Sequence, residues 1–171
     1  SRMDDVIFIG APPGQPDVSQ YQNSAQPVYA AGGEAEVRWQ AGPGFFFSAW
    51  YAFSAVRQGS FSPGSKIPNS PQNTGAVRAL APIAGPLLSA SSELIYGGPR
   101  QSFGQPAQPV GESLQWNLGL TGEASHFRYG AFVDNLLDQR PLLPAGPEIS
   151  FPLHAIPQYG RTVRLQIGAS F

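Results

Sequence analysis

Apolar and polar side chains alternate along most of this chain. In the last nine residues Val163, Leu165, Ile167, Ala169 and Phe171 fall on one side, and Arg164, Gln166, Gly168 and Ser170 on the other. A period of two predicts a β-strand with one apolar and one polar face. Seven more segments read the same way: residues 4–10, 28–40, 45–58, 74–83, 86–98, 113–123 and 126–135. The clearest is 113–123, with Leu114, Trp116, Leu118 and Leu120 against Gln115, Asn117, Gly119 and Thr121. Segment 45–58 is the least tidy, because Phe46 and Trp50 interrupt its second face, and a strand buried on both faces is an open alternative there. No segment shows a helical period, and Gly and Pro break every apolar run before it reaches helix length. The expected fold is all-β.

The connections alternate as well. Those at 41–44 (AGPG), 84–86 (AGP) and 123–125 (EAS) are short and built of turn-forming residues. Those at 11–27, 58–73, 99–112 and 139–160 are long. In an antiparallel meander successive connections fall at opposite ends, so short turns gather at one end and long loops at the other. Outer-membrane β-barrels have that arrangement. The charged residues Glu34, Glu36, Arg38, Arg78, Glu93, Arg128 and Arg164 then line the lumen. The opposite face carries Tyr29, Trp39, Tyr51, Tyr96, Trp116, Tyr129 and Phe171, which suit the aromatic girdles of a bilayer.

Composition narrows the classes. Charged residues make up 12% of the 171 positions, less than a typical soluble surface carries. A net charge of −1 with ten scattered basic residues gives no case for nucleic acid. Cysteine is absent, which excludes disulfides, thiolate metal sites and a catalytic thiol. The mean hydropathy of −0.16 resembles that of a soluble protein, but alternating strands hide half their residues from such an average. No run approaches the roughly 20 apolar residues of a membrane helix. The chain opens in strand-like sequence, so a piece of a longer protein is expected. A soluble β-sandwich binding module and a self-closed eight-stranded barrel acting as anchor or adhesin also predict alternating strands.

Enzymatic constellations are weak. His126 lies beside a short turn and His154 in a long loop, so the two histidines fall at opposite ends, and neither belongs to a nucleophile motif. Glu34 and Glu36 mimic a glycosidase pair in spacing but read better as a row of lumen charges. Asp4 and Asp5 read as a solvated strand end. The stretches GGPRQSFG and GAPPG lack the lysine of a phosphate-cradling loop. No catalytic residue, metal ligand or cofactor is expected.

Four segments resemble TonB-dependent outer-membrane receptors. PNSPQNTGAVRALAPI is similar to a stretch late in their barrel, and VYAAGGEAEVRW to a strand in which Gly and an acid follow an aromatic. FVDNLLDQR, with Asn135, Leu136, Leu137 and Asp138, resembles the segment before their last strand. There the family's aromatic is replaced by Arg140-Pro141. GRTVRLQIGASF resembles the terminal strand itself. The resemblance implies the C-terminal part of a 22-stranded barrel in a bacterial outer membrane, residues 1–171 forming one barrel segment without the plug domain. It implies import of a scarce nutrient such as a metal chelate, cofactor or glycan. The partners it implies are the rest of the barrel and plug, TonB acting through the plug, outer-membrane lipid and the barrel-assembly machinery. Val163, Leu165, Ile167, Ala169 and Phe171 would then be the assembly signal. Ligand contacts are expected in the long loops, at Phe61, Lys66, Phe151, His154 and Tyr159.

Overall fold

The computed structural model describes residues 1–10, 20–60, 66–103, 108–146 and 155–169. In chain order the strands are β1 (Arg2–Met3), β2 (Ile7–Gly10), β3 (Gln20–Asn23), β4 (Val28–Gln40), β5 (Phe46–Gln58), β6 (Asn73–Pro82) and β7 (Ser89–Gly97). They continue as β8 (Arg100–Gln101), β9 (Pro109–Val110), β10 (Ser113–Ala124), β11 (Phe127–Asp134), β12 (Leu142–Pro144), β13 (Ala155–Pro157) and β14 (Thr162–Ala169). Eight form one antiparallel sheet in the order β1-β4-β5-β6-β7-β10-β11-β14. The other six pair off as ribbons, β2 with β3, β8 with β9 and β12 with β13. Strands from β4 onward in the sheet run 8 to 13 residues, around the 9–11 or so that a tilted strand needs to cross a bilayer.

The short connections are tight. AGPG turns with Gly42 and Gly44 at positive φ, and β10 meets β11 through Ser125 and His126 alone, with Ser125 also at positive φ. A 3-10 turn at Gly85–Leu87 joins β6 to β7. The three ribbons all belong to long connections, at the other end of the sheet. They turn what the sequence leaves as loops into a small second structure.

One sequence expectation is corrected. Residues 4–10 do not form the first wall strand. Only Arg2 and Met3 pair with β4, at Tyr29 and Val28, and Ile7–Gly10 turns away to pair with Gln20–Asn23. The break lies at Asp5, whose φ of 55 takes the chain out of extended geometry while Asp4 binds Arg2 at 2.8 Å. Among the described residues the sheet is open. β1 and β14 do not pair with each other, so the self-closed eight-stranded barrel is not the arrangement adopted.

Register sorts the side chains. Val37, Ala49, Val77, Leu94 and Trp116 lie side by side across five strands. Further along the same face Leu120, Ala131 and Leu165 adjoin one another. Its side chains are bare: Val37 is 61% exposed, Leu165 77% and Ile167 79%. Among the described residues nothing resembling a packed core accompanies them. The buried apolar residues are Val28, Ala76, Val110, Ala145 and Ala155, and the last three belong to the loop end. A soluble sandwich requires a second layer over the apolar face, and the described residues provide none.

Candidate functional site: the polar face and its loop-side rim

The second face is built from the alternate positions of the same strands. Glu34, Glu36 and Arg38 on β4 adjoin Ala52, Trp50 and Ser48, and Ser48 adjoins Arg78, which adjoins Glu93. Across β10 and β11 the row continues through Asn117 to Glu123 and Arg128, and Arg164 on β14 lies opposite Phe132. All seven charged residues named from the sequence therefore share one face.

Their charges are largely matched. Arg38 Nε meets Glu36 Oε1 at 2.6 Å, Arg128 Nε meets Glu123 Oε2 at 3.1 Å, and Arg78 pairs with Glu93. Asn117 Nδ2 donates to the second oxygen of Glu93 at 3.0 Å. Apart from the partly buried Glu93 these side chains are open to solvent, so the pairs add little stability. They neutralise the face more than they hold it together. Arg164 meets no carboxylate among the described residues and lies 4.3 Å over the Phe132 ring. That ring lies flat because its neighbours are glycines: a Cβ at Gly130 would fall 2.8 Å from it, and one at Gly119 3.0 Å.

Above the sheet, the NLLD segment sets the base of the last long loop. Asn135 and Asp138 both have positive φ, which Asn and Asp tolerate better than other side chains. Asn135 is buried, and its Nδ2 donates to the carbonyls of Gln139 at 2.6 Å and Tyr159 at 3.2 Å. Its backbone N–H donates to Asn117 Oδ1 at 2.9 Å, which ties the turn to the sheet. Asp138 accepts the Arg161 N–H at 2.8 Å. That hydrogen bond, with the nearby guanidinium groups of Arg161 and Arg140, holds its carboxyl below the usual range against the opposing effect of burial.

Of the expected ligand residues, Phe61, Phe151 and His154 lie outside the described residues, as does Phe171. Lys66 is exposed and bridges Arg57 in the second long loop. Tyr159 is 93% exposed, above the Asn135 turn. Val163, Leu165, Ile167 and Ala169 all lie on the apolar face of β14. Ser125 Oγ and His126 Nδ1 are 3.0 Å apart in the exposed short turn, a contact between sequence neighbours. Among the described residues no group of three or more His, Asp or Glu is placed to hold a metal ion.

A residue that the sequence reading passed over stands at the rim. Arg100 follows Gly97 and Gly98 at the loop end of β7, and Gly97 is on the polar face beside Thr74 and Ser113. A Cβ on Gly97 would lie 2.9 Å from Arg100 Nη2 and 2.8 Å from Ser113 Oγ. The guanidinium therefore occupies the space a side chain at 97 would fill, over the mouth of the polar face. The one sequence signal was Arg placed immediately after a Gly-Gly-Pro break.

No protein-family model matches the sequence, and no curated protein does. Solved structures match it. FpvA of Pseudomonas aeruginosa, in an iron complex with a heterologous pyoverdine, aligns with 97% of this chain and 23% of its own length, at 15% identity and a TM-score of 0.73. The copper transporter OprC aligns with 98% of this chain and 27% of its own, at 19% identity and a TM-score of 0.70. The FrpB iron transporter of Neisseria meningitidis aligns with 97% and 27%, at 12% identity and a TM-score of 0.68. These are TonB-dependent outer-membrane receptors. The fold of this chain is that of the C-terminal part of their β-barrel. It spans about a quarter of their length.

Proposed function

We propose that this chain is the C-terminal wall of a TonB-dependent receptor in a bacterial outer membrane, part of an importer of a scarce nutrient such as a metal chelate, cofactor or glycan. One observation carries the reading: a charge-free apolar band, Val37, Ala49, Val77, Leu94 and Trp116, running across five strands of a single-layer sheet, backed by a face of largely matched charges. Exposed apolar area of that extent is stable only against another apolar medium, and lipid supplies it. The charged face then looks into a lumen wide enough to need a plug, with Glu34, Glu36, Arg38, Arg78, Glu93, Arg128 and Arg164 towards it. Long loops on the outer side capture ligand, and TonB acts through the plug domain, which belongs to the rest of the protein. The open edges, β14 and β4 beyond its short pairing with β1, take neighbouring strands of the complete barrel. The apolar row Val163, Leu165, Ile167 and Ala169 on β14, with Phe171 following in the sequence, serves the assembly machinery before it meets lipid. The work is transport, not catalysis.

Orientation gives a direct test. In the full-length protein displayed on intact cells, Lys66→Cys should react with a membrane-impermeant maleimide, while Ser125→Cys should react only after the envelope is opened. The chain itself has no cysteine to confuse the result. Labelling of both positions from outside, or of neither, would sink the proposal.

A further inference from the structure

Most arginines of the structure have an evident counter-group. Arg2, Arg38, Arg78, Arg128 and Arg161 each lie within 4.0 Å of a carboxylate oxygen, and Arg164 covers Phe132. Arg100 differs. Its Nη1 reaches only the neutral Asn69 Oδ1, at 3.4 Å, and its Nε is buried without a hydrogen-bond partner among the described residues. A guanidinium presents five N–H groups in a rigid fork that fits a two-oxygen anion, and a desolvated N–H left unpaired is unfavourable.

The group is also held in place. Gly97 leaves the space it fills, Arg100 pairs with Val110 across the β8–β9 ribbon, and Val110 is buried. Ser102, fully buried, fixes the ribbon: its N–H donates to the Gln108 carbonyl and its Oγ accepts the Gln108 N–H, both at 2.9 Å. Asn69 N–H donates to the Gln101 carbonyl at 2.9 Å, locking two long loops together. A cation held in place with no carboxylate beside it among the described residues is ready to take an anion.

We propose that Arg100 is an anion-recognition residue at the mouth of the lumen, taking a carboxylate or similar two-oxygen group of a soluble ligand that arrives from the loop side. The direction of approach rests on the importer reading above. Asn69 and Ser113 border the same space and give the ligand further hydrogen-bonding groups.

The test uses the full-length protein containing this chain, purified in nonionic detergent. It is titrated calorimetrically with ferric citrate, an anionic probe, and with the neutral complex of iron and three acetohydroxamates. Ferric citrate should bind, and Arg100→Gln should weaken it about tenfold or more, as the loss of a charge-assisted pair implies. The neutral probe should be indifferent to the substitution. Arg100→Lys, which keeps charge and loses the fork, should recover part of the affinity. Gly97→Ala should weaken binding with the arginine retained, because the new Cβ displaces the guanidinium. Ferric citrate that fails to bind, or that binds wild type and Arg100→Gln equally, overturns the proposal. So does a variant that keeps probe affinity but exposes the plug to protease, which would assign Arg100 to a plug contact. Failure of the importer reading shows elsewhere: a protein whose unheated and boiled samples migrate alike on a gel is not a barrel, whatever it binds.

Discussion

The two faces of the sheet are made by the same backbones and follow opposite rules. Along β6, Val77 and Arg78 are neighbours that point to opposite sides. Val77 joins a row of Val, Ala, Leu and Trp with no charge in it, while Arg78 pairs with Glu93. In a water-soluble sheet the apolar side is covered and the polar side is wet. Here Val37, Val163, Leu165 and Ile167 stand bare, and the buried Ser48 and Ala76 belong to the polar side. On the reading proposed above, lipid against the apolar face and a polar lumen behind the other make both faces stable at once.

Exchanging the chemistry of those two neighbours tests the contrast most severely. Val77→Arg places a charge near the middle of the apolar band and should cost about 2–4 kcal/mol in unfolding of the full-length protein from lipid vesicles. Arg78→Val removes the 60% exposed half of its pair and leaves the partly buried Glu93 with Asn117 as a hydrogen-bond donor, and should cost about 1 kcal/mol. Equal costs, or the reverse order, would mean that the apolar side does not face lipid.

Much of this contrast was legible in the sequence because a strand's period is strict. One slip of register flips every side chain, so the faces of β4, β7, β10 and β14 could be read without knowing their neighbours. Pairing partners were not legible. Ile7, Phe8 and Ile9 have the composition of a wall strand, yet they pair with Asn23, Gln22 and Tyr21 in a separate hairpin. Alternation reports a strand and is silent about which sheet it joins. The rim was hidden for a similar reason: Arg100 gains its meaning from Asn69 and Gly97, and a sequence shows neither the distance nor the unpaired Nε. The NLLD segment lay between these cases, recognisable as a motif and explained only by the left-handed backbone at Asn135 and Asp138.

That segment is the place where the wall hands over to the loops, and it sharpens the comparison at an intermediate scale. Asn135→Ala removes a buried amide that serves two carbonyls and the Gln139 N–H, and it puts alanine at a φ of 55. The expected loss is about 1–3 kcal/mol. It should appear as earlier proteolytic cleavage in the last long loop, with β-sheet content by circular dichroism retained. Asn135→Gly restores the backbone freedom but not the amide, and should fall between wild type and alanine. Loss of sheet and loop together would show that the wall depends on its loops.

The smallest effect concerns the same turn and is set by pH. The Asp138 carboxyl is depressed below its ordinary value, first by the Arg161 N–H and then by the guanidinium groups of Arg161 and Arg140. A group whose folded value is lowered contributes stability that is present above its unfolded value, near 4, and lost as pH falls through the folded one. The link between Asp138 and Arg161 should therefore hold at neutral pH and loosen only in acid, below about pH 4. Hydrogen exchange at the Arg161 amide reads this directly. Once corrected for the intrinsic rate, its protection should drop in acid in the wild type, and in Asp138→Asn it should be low at neutral pH and flat across the range. Salt should change it little, since the largest contribution is a backbone hydrogen bond and not a distant charge. The charge pairs of the polar face are the counter-case. The Arg38–Glu36 and Arg128–Glu123 pairs are open to solvent, so salt should weaken them while leaving the Asp138 turn in place. A turn that loosens with salt as readily as those pairs would place Asp138 among the surface charges and remove its role as the hinge between wall and loop.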